Sequence, residues 1–380
     1  MKTIAITTGT RSEYGILRPV IQKIKESKKL NLILIVTGMH LSKKYGSTIN
    51  EIKNDGFKIT AKIDTLPKGN TNFDMSIAVG NGILEFSKIF KKFQVDINII
   101  QGDRDEVLAS AIAAYHMNIP NAHIHGGDKT SAGIDEYNRH AITKISNIHF
   151  AATKKSQERI LKMGENKKYV FCTGSPSIDD IKNNMITSKK DLEKKYSLKL
   201  DGSEILLLQH PVTTQTKKSK KQINNTIKAL LKTKKKIIAI LPNSDAGNKE
   251  IFQELKRVSK NNESIKIFKT LPRDDYLSLL KNSKVLVGNS SSGIIDASYF
   301  SKPVVNIGIR QKGREHEMNV FDVADTNIES IYKTILKATK WKKTSALRKL
   351  YGNGESSKKI VKILETIQIN DKLIQKQIQY

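Results

Sequence analysis

The sequence has a single cysteine, Cys172, among 380 residues. One thiol excludes an intramolecular disulfide and gives no support to an oxidising compartment. No basic residue adjoins it, so Cys172 reads as core packing. Long apolar runs are also missing: none approaches the ~18–20 residues that a membrane helix needs. Met1 to Thr10 opens as a strand-like run, unlike the basic and then apolar order of a leader. A soluble, cytoplasmic protein with no membrane partner is expected. Aromatic residues are only 6% of the chain and are not interleaved with basic ones, so the means of stacking nucleic-acid bases is lacking. Acidic residues are scarce beside basic ones, 37 against 66, and the resulting charge of +29 would draw any polyanion. The excess is mostly lysine in short runs such as Lys217, Lys218, Lys220 and Lys221, or Lys234 to Lys236. These runs read as solvated surface, and no nucleic-acid partner is expected.

What is present is a repeated alternation. Thr3 to Thr7 is a β-branched run, followed by a turn at Gly9-Thr10-Arg11 and a helical pattern through Leu17, Val20, Ile21 and Ile24. Strand signals recur at Leu32 to Thr37 and at Ile97 to Ile100, the second followed by Gly102-Asp103-Arg104 and a helix-like Glu106 to Tyr115. Beyond Cys172 the pattern restarts, with strands at Glu204 to Leu208, Ile237 to Leu241, Val285 to Val287 and Val304 to Ile307. Strands alternating with helices indicate parallel sheets covered on both faces. The expected architecture is α/β, with two Rossmann-like doubly wound domains facing a cleft. The first would span residues 1–175 and the second 176–365, with a helical tail at 366–380. In such sheets ligands bind beyond the carboxyl ends of the strands.

Two constellations occupy such ends. Gly288-Asn289-Ser290-Ser291-Ser292-Gly293 lies between a strand and a helix, where backbone N–H groups, hydroxyls and the helix dipole suit an anion. The same residues would serve equally as a capped turn. Asp296, placed in the first turn of that helix, either complements the dipole or accepts the hydroxyls of a ribose. The second constellation is Gly102-Asp103-Arg104, then His123-Ile124-His125-Gly126-Gly127-Asp128, then Asp135-Glu136 with Arg139-His140. Its three aspartates are expected on loops at one sheet edge. His and Asp are metal ligands, but Arg104 and Arg139 among them oppose a cation, and no metal or other cofactor is expected. Carboxylates and imidazoles without a metal are what proton abstraction beside a polarised bond requires.

In order and joint occurrence these motifs resemble the hydrolysing UDP-N-acetylglucosamine 2-epimerases of sialic-acid synthesis and their relatives in legionaminic-acid synthesis. The likeness runs from Thr8-Gly9-Thr10-Arg11-Ser12-Glu13 to Arg310-Gln311-Lys312-Gly313-Arg314, through Thr173-Gly174-Ser175-Pro176 and Pro242-Asn243-Ser244-Asp245. It implies the two-domain arrangement of the GT-B glycosyltransferases. It also implies a nucleotide held mainly by the second domain, with the diphosphate at Ser290, Ser291 and Ser292 and the ribose near Asp296. The base would lie near Asn243 and the Leu271-Pro272 loop. Arg11, His40, His210 and Arg310 join the binding set. The sugar would face Asp103, Arg104, Asp128, Asp135 and Arg139, with Asp103, His125, Asp128 and Asp135 as the acid–base pool. A homo-oligomer, dimer or tetramer, is implied as well. Many members that make N-acetylmannosamine carry Glu at the position of His125, and most carry Glu at that of Asp128. The His form, with an extra residue before Asp135, is more typical of the legionaminic-acid branch. The first expectation for the reaction is UDP-N-acetylglucosamine and water giving N-acetylmannosamine and UDP through a glycal. A GDP-linked diacetylbacillosamine is the alternative substrate. A non-hydrolysing epimerase or a glycosyltransferase is the further alternative.

Overall fold

The computed structural model describes residues 1–69, 71–131, 133–183, 186–324, 326–342, 347 and 349–379. Seven strands build the first sheet: β1 (Lys2–Thr8), β2 (Leu30–Thr37), β3 (Ala61–Ile63), β4 (Ile97–Gln101), β5 (Asn121–Ile124), β6 (Ile148–Ala151) and β7 (Val170–Cys172). Six build the second: β8 (Ile205–Leu208), β9 (Ile237–Ile240), β10 (Ile265–Phe268), β11 (Val285–Gly288), β12 (Val304–Ile307) and β13 (Val320–Val323). Their orders are β3-β2-β1-β4-β5-β6-β7 and β10-β9-β8-β11-β12-β13, with every pairing parallel. Both are Rossmann-like orders that reverse direction once, between β1 and β4 and between β8 and β11. A crevice opens beyond the strand ends at such a reversal. The runs that feed these strands are near-continuous Ile, Leu and Val, as burial on both faces demands. All residues of β4, β5, β8 and β9 are buried.

The chain divides into two compact units, and their limits differ from those expected. Unit 1 comprises Met1–Lys129, Asp135–Asn183 and Tyr351–Tyr380, and unit 2 comprises Thr130–Ile134 and Asn184–Leu350. The expected boundary after residue 175 is therefore moved to 183, because helix Pro176–Asn183 packs on helix Arg11–Glu26. The residues from 351 onward leave the second domain for the first. Helix Ser356–Thr366 puts Ile360 and Leu364 into the core formed by Ile4, Ile6, Leu17 and Ile124, and Leu373 of the tail joins them. Periodicity shows that a segment has an apolar face but not which core receives it. The tail itself is not one helix: Ile367 is extended and a second turn, Asp371–Ile374, begins after Asn370. The core of unit 2 is built on Ile205, Leu207, Val285, Val287 and Val305, with Ile223, Ile227 and Ile331 from covering helices. Among the described residues no helix is long and apolar enough to cross a membrane.

Cys172 is exposed, contrary to the expected core position. It is the last residue of β7, an edge strand of its sheet; alternation puts it on the same side as buried Val170, so its place at the end of an edge strand, not its face, leaves the thiol exposed.

Candidate functional site

In unit 1 the polar residues gather beyond β1, β4 and β5, on either side of the reversal in strand order. The turn after β1 is closed by a capping box. Thr10 caps helix Arg11–Glu26, and Glu13 Oε2 accepts from the backbone N–H groups of Gly9 and Thr10, both at 2.9 Å. Burial, reinforced by the charge of Glu106, pushes the Glu13 carboxyl up to about 8. Arg11 stands half-buried at the start of this helix. His40 is fully buried behind the turn, with Nε2 3.0 Å from the Thr8 hydroxyl and Nδ1 2.7 Å from that of Thr48. Burial lowers its pKa to about 3, so the ring is neutral.

After β4 the chain turns at Gly102, whose φ of +78° suits a residue without a side chain. His123 braces this turn: its Nε2–H donates to the Gly102 carbonyl at 2.8 Å, and burial holds it neutral, with a pKa near 3. Asp103 follows, with a partly exposed carboxylate. Arg104 caps helix Asp105–His116 and donates to Glu106 at 2.8 Å.

Arg139 organises the cluster. Its guanidinium is almost wholly buried and donates through Nε to Asp103 Oδ2 at 2.9 Å, and through Nη2 to the same oxygen. Nη1 donates to the Asp128 carbonyl at 3.1 Å and to Glu136 Oε2 at 2.6 Å. Burial alone would disfavour the charge, but Asp103, Asp128 and Glu136 outweigh it and raise the pKa further. Asp135 is half-buried in the first turn of helix Ile134–Lys144, the helix that carries Arg139, and not on a loop as expected. His125 and Asp128 lie deeper in the turn after β5. His125 Nδ1 is 3.1 Å from Asp128 Oδ2, and its Nε2 is 2.8 Å from the Ser175 hydroxyl. The structure thus brings Asp103, Asp128, His125 and Arg139 into one bonded cluster. Ser175, part of the Thr173-Gly174-Ser175-Pro176 motif, and Ser156 complete it; the sequence assigns neither a role, because their partners lie 50 and 28 residues away.

Unit 2 arranges its residues around the reversal between β8 and β11. Gly288, at φ +142°, lets the strand pass directly against the Leu208 carbonyl, where any Cβ would collide. Asn289 then ties two turns together, accepting from the His210 N–H at 2.7 Å and donating to the His210 carbonyl at 2.9 Å. His210 Nδ1 accepts the Asn243 N–H at 3.2 Å, so the ends of β8, β9 and β11 are held in one network. Arg310, after β12, donates to the Asn289 carbonyl at 3.3 Å. Ser290 is the N-cap of helix Ser291–Tyr299, its hydroxyl accepting from the Ser292 N–H at 3.4 Å. Asp296 is in the second turn of that helix, not the first. It is buried, accepts a bidentate pair from Arg273 at 2.8 and 3.1 Å, and accepts the Ser292 hydroxyl at 2.5 Å. Arg273, directly after the Leu271-Pro272 pair, is the member of this group that sequence reasoning missed.

Two parallel sheets of Rossmann-like order, each with polar turns grouped at its reversal, define an α/β enzyme of GT-B-like fold. The chain belongs to the UDP-N-acetylglucosamine 2-epimerase family, whose model matches residues 22–365. It is 37% identical, over 99% of both chains, to the UDP-N,N'-diacetylbacillosamine 2-epimerase (hydrolyzing) of Legionella pneumophila. It is 36% identical to the GDP/UDP-N,N'-diacetylbacillosamine 2-epimerase (hydrolyzing) of Campylobacter jejuni, over 88% of this chain and 87% of that one. Among solved structures it resembles the UDP-GlcNAc 2-epimerase of Methanocaldococcus jannaschii in complex with UDP-GlcNAc and UDP. That match has a TM-score of 0.83 at 21% identity, over 96% of this chain and 99% of that one.

Arg139 already supplies a fixed cation between Asp103, Glu136 and the Asp128 carbonyl. Turnover is therefore expected to survive dialysis against a chelator unchanged. A loss of activity restored by a divalent metal would refute this.

Proposed function

We propose that the protein is a hydrolysing 2-epimerase of a nucleoside-diphosphate 2,4-diacetamido sugar of the diacetylbacillosamine class. The observation that carries the reading is the bonded cluster of Asp103, Arg139, Asp128 and His125 at the strand ends of unit 1, in a chain of the 2-epimerase family. The two diacetylbacillosamine epimerases named above support the choice of sugar. They move the weight from UDP-N-acetylglucosamine, the first expectation, to its alternative. The relative from Neisseria meningitidis named UDP-N-acetylglucosamine 2-epimerase, at 32% identity over 89% of this chain, keeps the other sugar as the competing reading.

The chemistry is elimination followed by hydration. A general base from the unit 1 cluster takes the carbon-2 proton while the nucleoside diphosphate leaves carbon 1, giving a glycal. Water then adds its hydroxyl to carbon 1, and a proton returns to carbon 2 on the opposite face. The balance is one water consumed and one nucleoside diphosphate released. In unit 2 the serine hydroxyls and amide groups at the start of helix Ser291–Tyr299 suit the diphosphate. Donors aimed at the leaving group stabilise the charge that grows on it.

The test is incubation in deuterium oxide with UDP- and GDP-linked diacetylbacillosamine and with UDP-N-acetylglucosamine, separately and without an acceptor. The expected result is nucleoside diphosphate and a free sugar inverted at carbon 2, bearing one deuterium there, formed fastest from a diacetamido substrate. Preference for UDP-N-acetylglucosamine would overturn the choice of sugar. Epimerised nucleotide sugar without release would favour a non-hydrolysing epimerase, and release only with an acceptor would favour a glycosyltransferase.

A further inference from the structure

His125 has a φ of +65°, a left-handed conformation that a residue with a side chain adopts only at a cost. Such a conformation persists only where the surroundings over-determine it, and here they do. The His125 N–H donates to the Phe150 carbonyl at 3.1 Å, and both ring nitrogens are engaged. Gly126 and Gly127 complete the turn. A Cβ on Gly126 would lie 2.8 Å from His123 Nδ1, and one on Gly127 would strike the Ser156 carbonyl.

The bonds around the ring have a direction. Asp128, as a carboxylate, only accepts, so the proton of the Nδ1 bond belongs to His125. Asp128 Oδ1 accepts in addition from the Ser156 hydroxyl at 2.8 Å, which accepts from that of Thr153 at 3.0 Å. In a neutral ring a protonated Nδ1 leaves Nε2 as the acceptor, to which the Ser175 hydroxyl donates. The Ser175 oxygen is itself met by the Ser177 N–H at 3.3 Å. Thr153, Ser156, Asp128, His125 and Ser175 are each 3% exposed or less, so water does not substitute for any of these partners.

Ser175 is also unusually well fixed. Its N–H donates to the Tyr351 carbonyl at 2.8 Å, and Gly174 before it, at φ +85°, packs against Tyr351 and Ser356 with no room for a side chain. Asp179, in the helix that Ser175 leads, accepts from the N–H groups of Ser356 and Ser357 at 3.0 and 2.6 Å. The returning segment of unit 1 thus clamps the turn that presents the hydroxyl.

We propose that Ser175 is a positioning residue for His125, fixing the neutral ring as its Nδ1–H form with Nε2 as the basic nitrogen. It further lets Nε2 gain and lose a proton without moving. A hydroxyl donates to the bare Nε2 and, by rotating, accepts from the protonated one; no aliphatic side chain does either. The effect on rate rests on the reading that His125 belongs to the proton-transfer group. The effect on the ring does not.

The test has two arms. In the ligand-free protein, 15N shifts of the His125 ring, assigned by the signal lost in His125→Gln, are expected to show Nδ1 protonated and Nε2 bare and hydrogen-bonded. Ser175→Ala should move the Nε2 shift. In the kinetic arm Ser175→Thr and Ser175→Val have the same shape and differ in the hydroxyl. Thr is expected to retain turnover, and Val and Ala to lower kcat by about 10- to 100-fold with KM nearly unchanged, the scale of a mispositioned reacting group. A wild-type ring protonated at Nε2 alone, an Nε2 shift unmoved in Ser175→Ala, or equal kcat for folded Thr and Val variants overturns the proposal. If neither larger variant folds, the Ala comparison decides it. If no nucleotide sugar is turned over at all, the proposed function fails and the 15N arm still decides the role of Ser175.

Discussion

Asn in place of Asp103 lowers turnover by about 100- to 10,000-fold, the usual loss when acid–base help is removed, while the protein folds and binds nucleotide. The Asp103 carboxylate is about one-fifth accessible, while His125 and Asp128 are buried. It stands at the end of β4, beside the reversal in strand order, on a turn held by neutral His123. Asn keeps the shape and one acceptor oxygen for Arg139 but loses the charge and the basicity. Arg139 retains the Glu136 carboxylate and the Asp128 carbonyl, so the loss of one partner does not leave its charge unpaired. A purely structural Asp103 predicts the opposite pattern: lower stability with a nearly normal rate per folded molecule. Measuring kcat and the denaturation midpoint on the same preparation separates the two, and a kcat within threefold of the wild type would remove Asp103 from the proton-transfer group.

Much of this arrangement is legible in the sequence because parallel strands buried on both faces must be short apolar runs, and Ile97 to Ile100 or Val304 to Ile307 have few other uses. Glycine marks the turns beyond them, as at Gly102 and Gly288, where the backbone needs a positive φ or a close approach. What is not legible is long-range. The apolar face of helix Ser356–Thr366 gives no sign that it returns to the core of Ile4 and Leu17. Cys172 reads as core packing by residue type, but its exposure is set by its place at the end of an edge strand, which only the sheet order reveals. The resemblance puts His40 in the binding set but gives no sign that its ring is held between the hydroxyls of Thr8 and Thr48. Ser175 and Arg273 acquire meaning only from partners 50 and 23 residues away. Local pattern locates the ends of strands, and the bonds between those ends are set by packing.

The Arg273–Asp296 pair should prove the most sensitive point of unit 2. Both side chains are about 95% buried, and the guanidinium meets the carboxylate through two parallel bonds. Breaking a buried pair from one side leaves an unpaired charge in a poorly solvated place, a loss of about 3–5 kcal/mol. Native stability is only about 5–15 kcal/mol, so Arg273→Ala or Asp296→Ala should shift the unfolding midpoint far more than an ordinary substitution. Removing both partners is expected to cost clearly less than the sum of the single losses, since no charge is then stranded. The pair also reaches the turn proposed for the diphosphate: Asp296 accepts the Ser292 hydroxyl, and Ser292 meets the Tyr276 hydroxyl, at the first turn of the helix capped by Ser290. Losing Asp296 therefore releases Ser292 where the diphosphate is assigned, and nucleotide affinity should fall with stability in Asp296→Ala. Denaturant titration of the two single variants and the double variant, with nucleotide titration alongside, checks both. Single losses below about 1 kcal/mol, the scale of an exposed ion pair, would show that water reaches the pair after all and that it does not hold the turn.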